Sequence, residues 1–350
     1  MPFDKNQTEF KDIIQEKIWE LGARQLPLEV SLPFVPDELK PACTDFYNFT
    51  RDLLADMYEN PIGFGFEIDP SQPGWMNVKQ VEFYFWFIGG LSNLSGNRFE
   101  MPAGAFDKLV KKFSPKSIAA LKEHGFIFEG KGDTVVVRNA LYPDMFIGAK
   151  ATVKAGYANY KVNRDYFRLY CDFRALAGYK RTYEDLHLIF SDGNRRIAEK
   201  IHEHCIGRKI MPQKCNYYFR VEYKYKGKIV YIADLVGGNQ FKINIGFAPF
   251  GSPSYQRCIN FIENDSSAPE LKEFFIRNAA KKCRNCKVNC EIKKNPKYFF
   301  GRKMVVCMNL PFIRMTNPAE EDLNSIYKFI DLRALLIDEK ISEPFYPGNG

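Results

Sequence analysis

The spacing of apolar residues changes near residue 180, and this change constrains the fold more than any other feature of the sequence. In the first half, apolar residues recur every three or four positions, as in segment 8–24, which is the spacing of one helix face. Beyond residue 180 the period becomes two, and segment 217–235 alternates apolar with charged residues around a Lys226-Gly227 turn. The sequence therefore predicts an α+β fold, first helical and then built on an antiparallel sheet with one buried face.

A chain of 350 residues is long enough for two domains with separate cores. We place the boundary near residues 179–182, where the period changes. Residues 1–75 are predicted to form N-terminal helices and a proline-rich extended wrap. Residues 76–180 are predicted to form a winged-helix-like helical domain, and residues 181–350 an α/β sandwich with an antiparallel sheet.

The winged-helix-like prediction rests on the order of four segments. Segment 77–96 has a helical apolar spacing that ends at a glycine, and 102–113 is a short amphipathic helix. Ser114 then caps a third helix, which Gly125 closes, and 126–137 has the pattern of a hairpin. Three short helices followed by a hairpin is the order of elements in a winged helix.

Basic residues lie where a winged helix would contact DNA. On or before the third helix, and at the tip of the wing, the sequence places Lys108, Lys111, Lys112, Lys116, Lys122 and Lys131. Lysine can neutralise phosphates, and the net charge of +8 permits DNA or another polyanion as a partner. The third helix lacks the Arg, Asn or Gln side chains that read base edges, and winged helices also contact proteins. Both kinds of partner therefore stay open.

Three of the 9 cysteines are gathered in the stretch KCRNCKVNC. Cys283 and Cys286 form a C-x-x-C pair, and Cys290 lies four residues further on; Cys307 follows in an apolar segment. Four thiolates from two places in the chain can close the tetrahedral shell that a structural Zn²⁺ prefers, and an iron–sulfur cluster uses the same ligands. Neighbouring Lys and Arg residues favour the thiolate form. The alternative is free buried thiols, because the first three cysteines share one face of a helix.

Other candidate site residues give weaker signals. His202 and Cys205 share a helical face, which His204 does not, and the sequence suggests no fourth ligand. Surface or half-buried histidines are therefore the better interpretation. Four tyrosines of the predicted sheet could line a pocket but fit core packing better. They are Tyr217, Tyr218, Tyr223 and Tyr231.

The second half is expected to contain helices as well as strands. Segments 241–247 and 303–310 are predicted to form the third and fourth strands of the sheet. Two helices, near 252–262 and 268–282, are predicted to cover it. Asn317 is predicted to cap the last helix, with a proline at the first helical position.

The pattern of the second half resembles small α+β domains of the YdhG-type, frataxin-like group found in Firmicutes. The resemblance is carried by the meander of 217–235 and 241–247, by a late strand, and by the helix NPAEEDLNSIYKFIDLR. The C-x-x-C-x-x-x-C insert and the later cysteine resemble those of clostridial proteins. The resemblance extends over residues 182–336 and implies an α/β sandwich. It also hints at iron handling, although this basic chain has no acidic stripe of the frataxin kind.

The sequence contains no predicted targeting or membrane segment. The N-terminus carries acidic residues and a helical apolar period, whereas a secretory signal has a basic head and an apolar core. The richest apolar run, 81–91, is far shorter than the roughly 20 residues that span a bilayer. We therefore expect a cytoplasmic protein with no membrane partner.

Linear motifs of enzymes are also missing. The sequence has no Gly-rich phosphate loop, no G-x-S-x-G and no H-E-x-x-H. We therefore expect a metal-stabilised binding or regulatory protein rather than an enzyme, with nucleic acid, contacted through the winged helix, as one of the two partner classes that stay open. The alternatives are an enzyme or small-ligand-binding protein with a pocket at the aromatic sheet face, and an iron–sulfur protein.

Overall fold

A computed structural model describes most of the chain. Besides Ile18 and Val81, the described residues are 25–66, 83–112, 115–160, 172–188, 190–213, 220–236, 240–246, 253–264, 270–279, 297–304 and 313–340. The chain forms two compact units, Met1–Lys180 and Arg181–Gly350. Each unit combines helices with antiparallel strands, so the predicted α+β class is confirmed. None of the described helices is both long enough and apolar enough to cross a membrane.

The first unit contains five described α-helices, four strands and several 3-10 turns. The helices are α1 (Leu28–Ser31), α2 (Lys40–Glu59), α3 (Ala103–Lys112), α4 (Pro115–Glu123) and α5 (Met145–Tyr160). The strands are β1 (Leu94–Ser95), β2 (Arg98–Pro102), β3 (Phe126–Lys131) and β4 (Thr134–Asn139). The 3-10 helices are Leu32–Phe34, Asp37–Leu39, Trp86–Asn93 and Phe173–Ala177.

Helix α2 is the central element of this unit. Its apolar residues recur at helical spacing, and Phe46, Phe49 and Leu53 are fully buried. The ring of Phe49 lies 5.7 Å from that of Phe126 and 6.0 Å from that of Phe87, measured between centroids. These are ordinary distances for packed aromatic pairs. Helix α2 and the strand hairpin therefore share one core.

The strands of the first unit form a sheet in the order β1-β2-β4-β3, with all pairs antiparallel. The predicted hairpin is confirmed as β3 and β4, and the two short helices that precede it are confirmed as α3 and α4. Gly125 ends α4 with a φ of +85°, where a Cβ would lie 2.5 Å from the Asn139 Oδ1 atom. A glycine is therefore required between helix and hairpin.

The helix predicted across 77–96 differs from the structure in its described part. A 3-10 helix runs from Trp86 to Asn93, and the chain then enters β1 at Leu94. The following strand, β2, was not predicted. Two adjacent glycines, Gly89 and Gly90, weaken a regular α-helix here by about 1 kcal/mol each.

Gly148 sets the distance between α2 and α5. A Cβ at this position would lie 2.1 Å from the carbonyl oxygen of Ala42 and 3.0 Å from the nitrogen of Cys43. The two helix backbones therefore approach more closely at Gly148 than any side chain would permit.

The second unit contains four described α-helices and seven strands. The helices are α6 (Asp192–Gly207), α7 (Pro253–Asn264), α8 (Glu270–Asn278) and α9 (Leu323–Asp338). The strands are β5 (Met211–Pro212), β6 (Arg220–Tyr225), β7 (Lys228–Val236), β8 (Gln240–Ile245), β9 (Lys297–Phe299), β10 (Arg302–Met304) and β11 (Ile313–Thr316). The 3-10 helices are Tyr183–Leu186 and Glu320–Asp322.

Five strands form the main sheet in the order β11-β8-β7-β6-β5, and every pair is antiparallel. The predicted meander is confirmed, since β6, β7 and β8 follow one another and pair antiparallel in that order. Tyr223 lies opposite Tyr231 in the register, and both side chains are buried on the face that packs against α6. The alternation of apolar and charged residues thus separates two faces of the sheet.

The predicted fourth strand is a strand at its described residues, Lys303 and Met304, but it does not join the main sheet. Met304 lies in β10, which pairs with β9 in a separate two-stranded sheet. The strand that pairs with β8 is β11, in the register Ile313 opposite Ile245. The short edge strand β11 forms because it pairs with β8. Its four residues are too few for an alternation of apolar and polar residues to predict a strand.

Asn317 does not cap the last helix as predicted. Its backbone φ is +48°, and its Oδ1 accepts hydrogen bonds from the Phe241 amide and from the Asn194 side chain, both at 3.0 Å. The helix start is instead fixed by Asp322, whose Oδ2 accepts from the amide of Ala319 at 3.0 Å. Asn317 therefore links β8 to the beginning of α6.

We expect Gly148→Ala to lower the free energy of unfolding of the first unit by about 1–3 kcal/mol, because the new methyl group forces α2 and α5 apart. Gly104→Ala is the matched control. Gly104 also lies in a helix but has open space around its Cβ position, so this change should stabilise by up to about 1 kcal/mol. Urea unfolding of both variants measures the difference, and equal stabilities would contradict the close approach.

Candidate nucleic-acid interface and metal residues

The lysines predicted to contact DNA lie on the two short helices and the hairpin on which the sequence placed them. Lys108 and Lys111 are on α3, and Lys112 is its last residue; Lys116 and Lys122 are on α4, and Lys131 is the last residue of β3 before the hairpin turn. The side chains of Lys108, Lys111, Lys116, Lys122 and Lys131 are exposed. They are therefore accessible to a polyanion.

Helix α4 is oriented by its buried face. Ala120 and Leu121 are buried, and the hydroxyl of Ser117 donates to the carbonyl of Phe64 at 3.3 Å. The residues left exposed on this helix include Lys116, Ala119 and Lys122. This exposed face offers two lysines, a small side chain and the acidic Glu123, so its lysines can contact phosphates while it has few groups that read bases.

The end of α4 is tied to α2 through His124. Its Nδ1 lies 2.9 Å from the Ala120 carbonyl oxygen, and its Nε2 lies 3.1 Å from Oδ2 of Asp56. The Asn139 side-chain amide donates to the His124 carbonyl at 2.9 Å. The helix that carries Lys116 and Lys122 is therefore fixed to both α2 and β4.

Two acidic side chains of α2 accept hydrogen bonds from the loop before α5. The Tyr142 hydroxyl donates to Asp52, and the amide of Asp144 donates to Oδ2 of Asp45 at 2.9 Å. Burial, reinforced by the Asp52 carboxylate, raises the pKa of Tyr142 above its ordinary value. These carboxylates therefore hold the loop before α5.

The β3–β4 hairpin is less basic than the lysine at its tip suggests. Lys131 Nζ lies 3.9 Å from Oε1 of Glu100 on β2, which β4 separates from β3, and Arg138 donates to Glu129 at 2.8 Å. Exposed pairs of this kind contribute little to stability, so a phosphate could compete for either cation. Helices α3 and α4 carry the other predicted lysines, together with the exposed acids Asp107 and Glu123.

The four predicted metal ligands, Cys283, Cys286, Cys290 and Cys307, lie outside the described residues. The zinc or iron–sulfur prediction therefore stays a prediction. Within the described part of the chain, no group of three or more His, Cys, Asp or Glu side chains could hold a metal ion. The cysteines described there, Cys43, Cys205 and Cys258, are buried free thiols whose pKa is raised by burial.

The histidine group of α6 is divided among different partners. His202 Nδ1 lies 2.9 Å from the Tyr223 hydroxyl, and its ring stacks on Tyr183 at 3.9 Å between centroids. His204 Nε2 instead lies 2.9 Å from Oδ1 of Asp331 on α9. Both histidines are half-buried, and Cys205 is fully buried. The two histidines therefore have separate partners within the protein, and Cys205 is packed in the core.

Two of the four sheet tyrosines belong to the core. Tyr223 and Tyr231 are each only 1% exposed, which fits the packing interpretation. Tyr217 and Tyr218 lie outside the described residues.

Sequence reasoning missed a polar cluster around Tyr183. The Tyr183 ring contacts both His202 and His187, and Nδ1 of His187 lies 3.4 Å from Oε1 of Glu199. Burial lowers the pKa of both histidines. The cluster joins a 3-10 helix, α6 and β6, and no local pattern in the sequence marks such a long-range contact.

Comparison of the chain with protein families, with curated proteins and with solved structures gave no match in any of the three.

The lowered pKa values predict a pH dependence for the second unit. The folded state disfavours protonation of His187 and His202, so the unfolded chain binds more protons below about pH 6.5, the ordinary His value. The neutral rings of His187 and His202 contribute fully to the free energy of unfolding above about pH 6.5. This contribution is lost as the pH falls toward the lowered pKa values of the two histidines. Urea unfolding between about pH 5 and 8 should show this loss, and His202→Gln should reduce its slope. An unchanged slope in both His202→Gln and His187→Gln would contradict the assignment.

The cysteine prediction is tested by metal content. Protein purified without chelator should carry about one zinc per chain, and Cys286→Ser should lose it and loosen the second unit more than the first. Asn285→Ser, in the same stretch, is the matched control and should keep the metal. Elemental analysis and hydrogen exchange measure both effects. Iron with sulfide would indicate a cluster instead, and no metal in aerobic or anaerobic preparations would overturn the prediction.

Proposed function

We propose that this protein is a metal-stabilised nucleic-acid-binding regulatory protein whose first unit contacts duplex DNA. The observation that carries the proposal is the order of elements in that unit. Strand β2, helices α3 and α4, and the β3–β4 hairpin follow one another, with β4 paired between β2 and β3. This order supports a winged-helix interpretation, in which the second helix of a helix-turn-helix would enter the major groove.

The exposed lysines support the same assignment. Lys116 and Lys122 lie on the helix that would enter the groove, and Lys108 and Lys111 lie on the helix before it. Each lysine that meets a phosphate releases a counterion, which makes the binding strongly dependent on salt. Since α4 exposes neither Arg, Asn nor Gln, the contacts position the protein on the backbone more than they read the sequence.

The second unit would be held by zinc at Cys283, Cys286, Cys290 and Cys307. The supporting features are the C-x-x-C spacing and the basic residues beside it, such as Lys282, Arg284 and Lys287. A site with four thiolates leaves no open position for a substrate, so the ion would be structural. An iron–sulfur cluster on the same ligands is the alternative for this site.

The full chain should bind a fluorescent duplex of about 20 base pairs with an affinity that falls steeply as salt rises. For about six phosphate contacts, the loss between 50 and 200 mM salt is about a thousandfold. The double variant Lys116→Ala/Lys122→Ala should weaken binding and lower the salt slope by about two. Fluorescence anisotropy at several salt concentrations measures both quantities.

The matched control is Lys150→Ala/Lys154→Ala. These two lysines are exposed on α5 of the same unit, outside the proposed interface, so their removal should leave the slope nearly unchanged. An equal loss in both double variants would indicate nonspecific attraction to a basic surface. The absence of binding at low salt would overturn the DNA proposal and favour a protein-contact role for the winged helix, or an enzymatic one for the chain.

A further inference from the structure

A groove of about 460 Å³ lies between α7 and α9 of the second unit. Two of its lining side chains are large, apolar and partly open to solvent, since Phe261 of α7 is 37% exposed and Leu335 of α9 is 45% exposed. Leu332 and Leu336, which are buried, complete the apolar lining. Exposed apolar side chains gathered in one concave place mark a surface that binds something, and the volume is that of an ordinary ligand cleft.

Phe261 is not part of the core-facing side of α7. That side carries Cys258 and Ile262, which are fully buried and lie one helical turn apart. Phe261 lies beside it, and Asn260 and Asn264 of the same helix also line the groove. The groove therefore has an apolar centre with side-chain amides along one rim. Such a rim suits an extended peptide, because the backbone groups of the peptide can bond to the amides.

The end of α9 turns the chain back toward this groove. Lys340, the second residue after the helix, has a backbone φ of +57°, and its amide donates to the Ile337 carbonyl at 3.2 Å. A left-handed residue with this hydrogen bond is typical of a Schellman motif at a helix end. The residue that follows in such a motif commonly packs its side chain on the last turns of the helix. Here that residue is Ile341, and the helix positions it would meet are Leu336 and Leu335, both of which line the groove.

The sequence after α9 is chemically suited to the groove. Residues 341–350 lie outside the described part of the chain, and they read ISEPFYPGNG. Phe345 and Tyr346 stand between two prolines, which favour an extended backbone and leave fewer amide groups in need of acceptors. The entry point is close, since Glu339 lies 3.3 Å from the guanidinium of Arg257, which lines the groove. The six residues that end at Tyr346 span about 20 Å when extended, whereas the turn of α9 that lines the groove is about 6 Å long, so both rings can reach it.

We propose that residues 341–346 fold back and cover the groove between α7 and α9. Their two aromatic rings would pack on Phe261 and Leu335, and a buried aromatic side chain removes about 150–250 Å² from solvent. Because the segment is tethered beside the groove, its effective concentration there is about millimolar, and weak contacts suffice to keep the groove covered. A small ligand or a second protein would have to displace the segment, which therefore controls access to the groove. The proposal does not rest on the DNA contact of the first unit.

The first test uses NMR of the full chain with methyl-labelled leucine. Nuclear Overhauser contacts should join the Leu335 methyl groups to the ring protons of Phe345 or Tyr346. The double variant Phe345→Ser/Tyr346→Ser should abolish these contacts and shift the Leu335 and Leu336 methyl signals, whereas Asn349→Ala, a control in the same segment, should change neither. Unchanged Leu335 and Leu336 signals in the double variant would overturn the proposal and leave the groove to a small molecule or another protein.

The second test changes the groove instead of the segment. Chymotrypsin should cut the bond between Phe345 and Tyr346 slowly in the wild type and at least tenfold faster in Leu335→Gln, because the polar side chain releases the segment; mass spectrometry identifies the cut. Leu188→Gln is the matched control, since Leu188 lies in the same unit, is 43% exposed and does not line the groove. Thermal unfolding curves check that both variants fold. Equal cleavage rates in the two variants contradict the proposal.

Discussion

Both units depend on the close packing of aromatic rings. In the first unit, Phe49 of α2 contacts Phe85 and Phe87 of the segment before β1, and also Phe126 of β3. Each fully buried Phe contributes about 1.5–3 kcal/mol relative to an exposed ring, so this group alone joins the long helix to the hairpin. Edge-to-face contacts restrict the angles at which the rings meet, and this fixes where the remaining elements lie.

The proposed DNA contact follows from this packing. Because α4 buries Ala120 and Leu121 and is tied through His124 to α2, its lysines can only lie on the outer side. Three acidic residues of α2, Asp52, Asp45 and Asp56, lie against the Tyr142 hydroxyl, the Asp144 amide and His124. The division of charge within the unit leaves the lysines available to a polyanion.

In the second unit, buried aromatic side chains lie on one face of the sheet and polar side chains lie on the other. Tyr223 and Tyr231 meet the helical layer, while Asp234 and Asn244 lie on the opposite face. The helical layer is joined by ion pairs such as Lys200 with Glu320 at 2.7 Å, and Arg208 with Asp331 at 3.0 Å. Exposed pairs of this kind add little stability, so the buried rings remain the main source of it.

The sequence by itself determined the α+β class, the β3–β4 hairpin with the helices before it, and the β6–β8 meander, because each depends on a period or turn that neighbouring residues specify. It also placed the lysines on their elements. Only the tertiary structure decided the 3-10 path through Trp86, the pairing of β11 with β8, and the role of Asn317 as a link to Asn194. The polar cluster at Tyr183 belongs to the same group. These features join residues far apart in the chain, and local periodicity carries no information about which distant side chains meet.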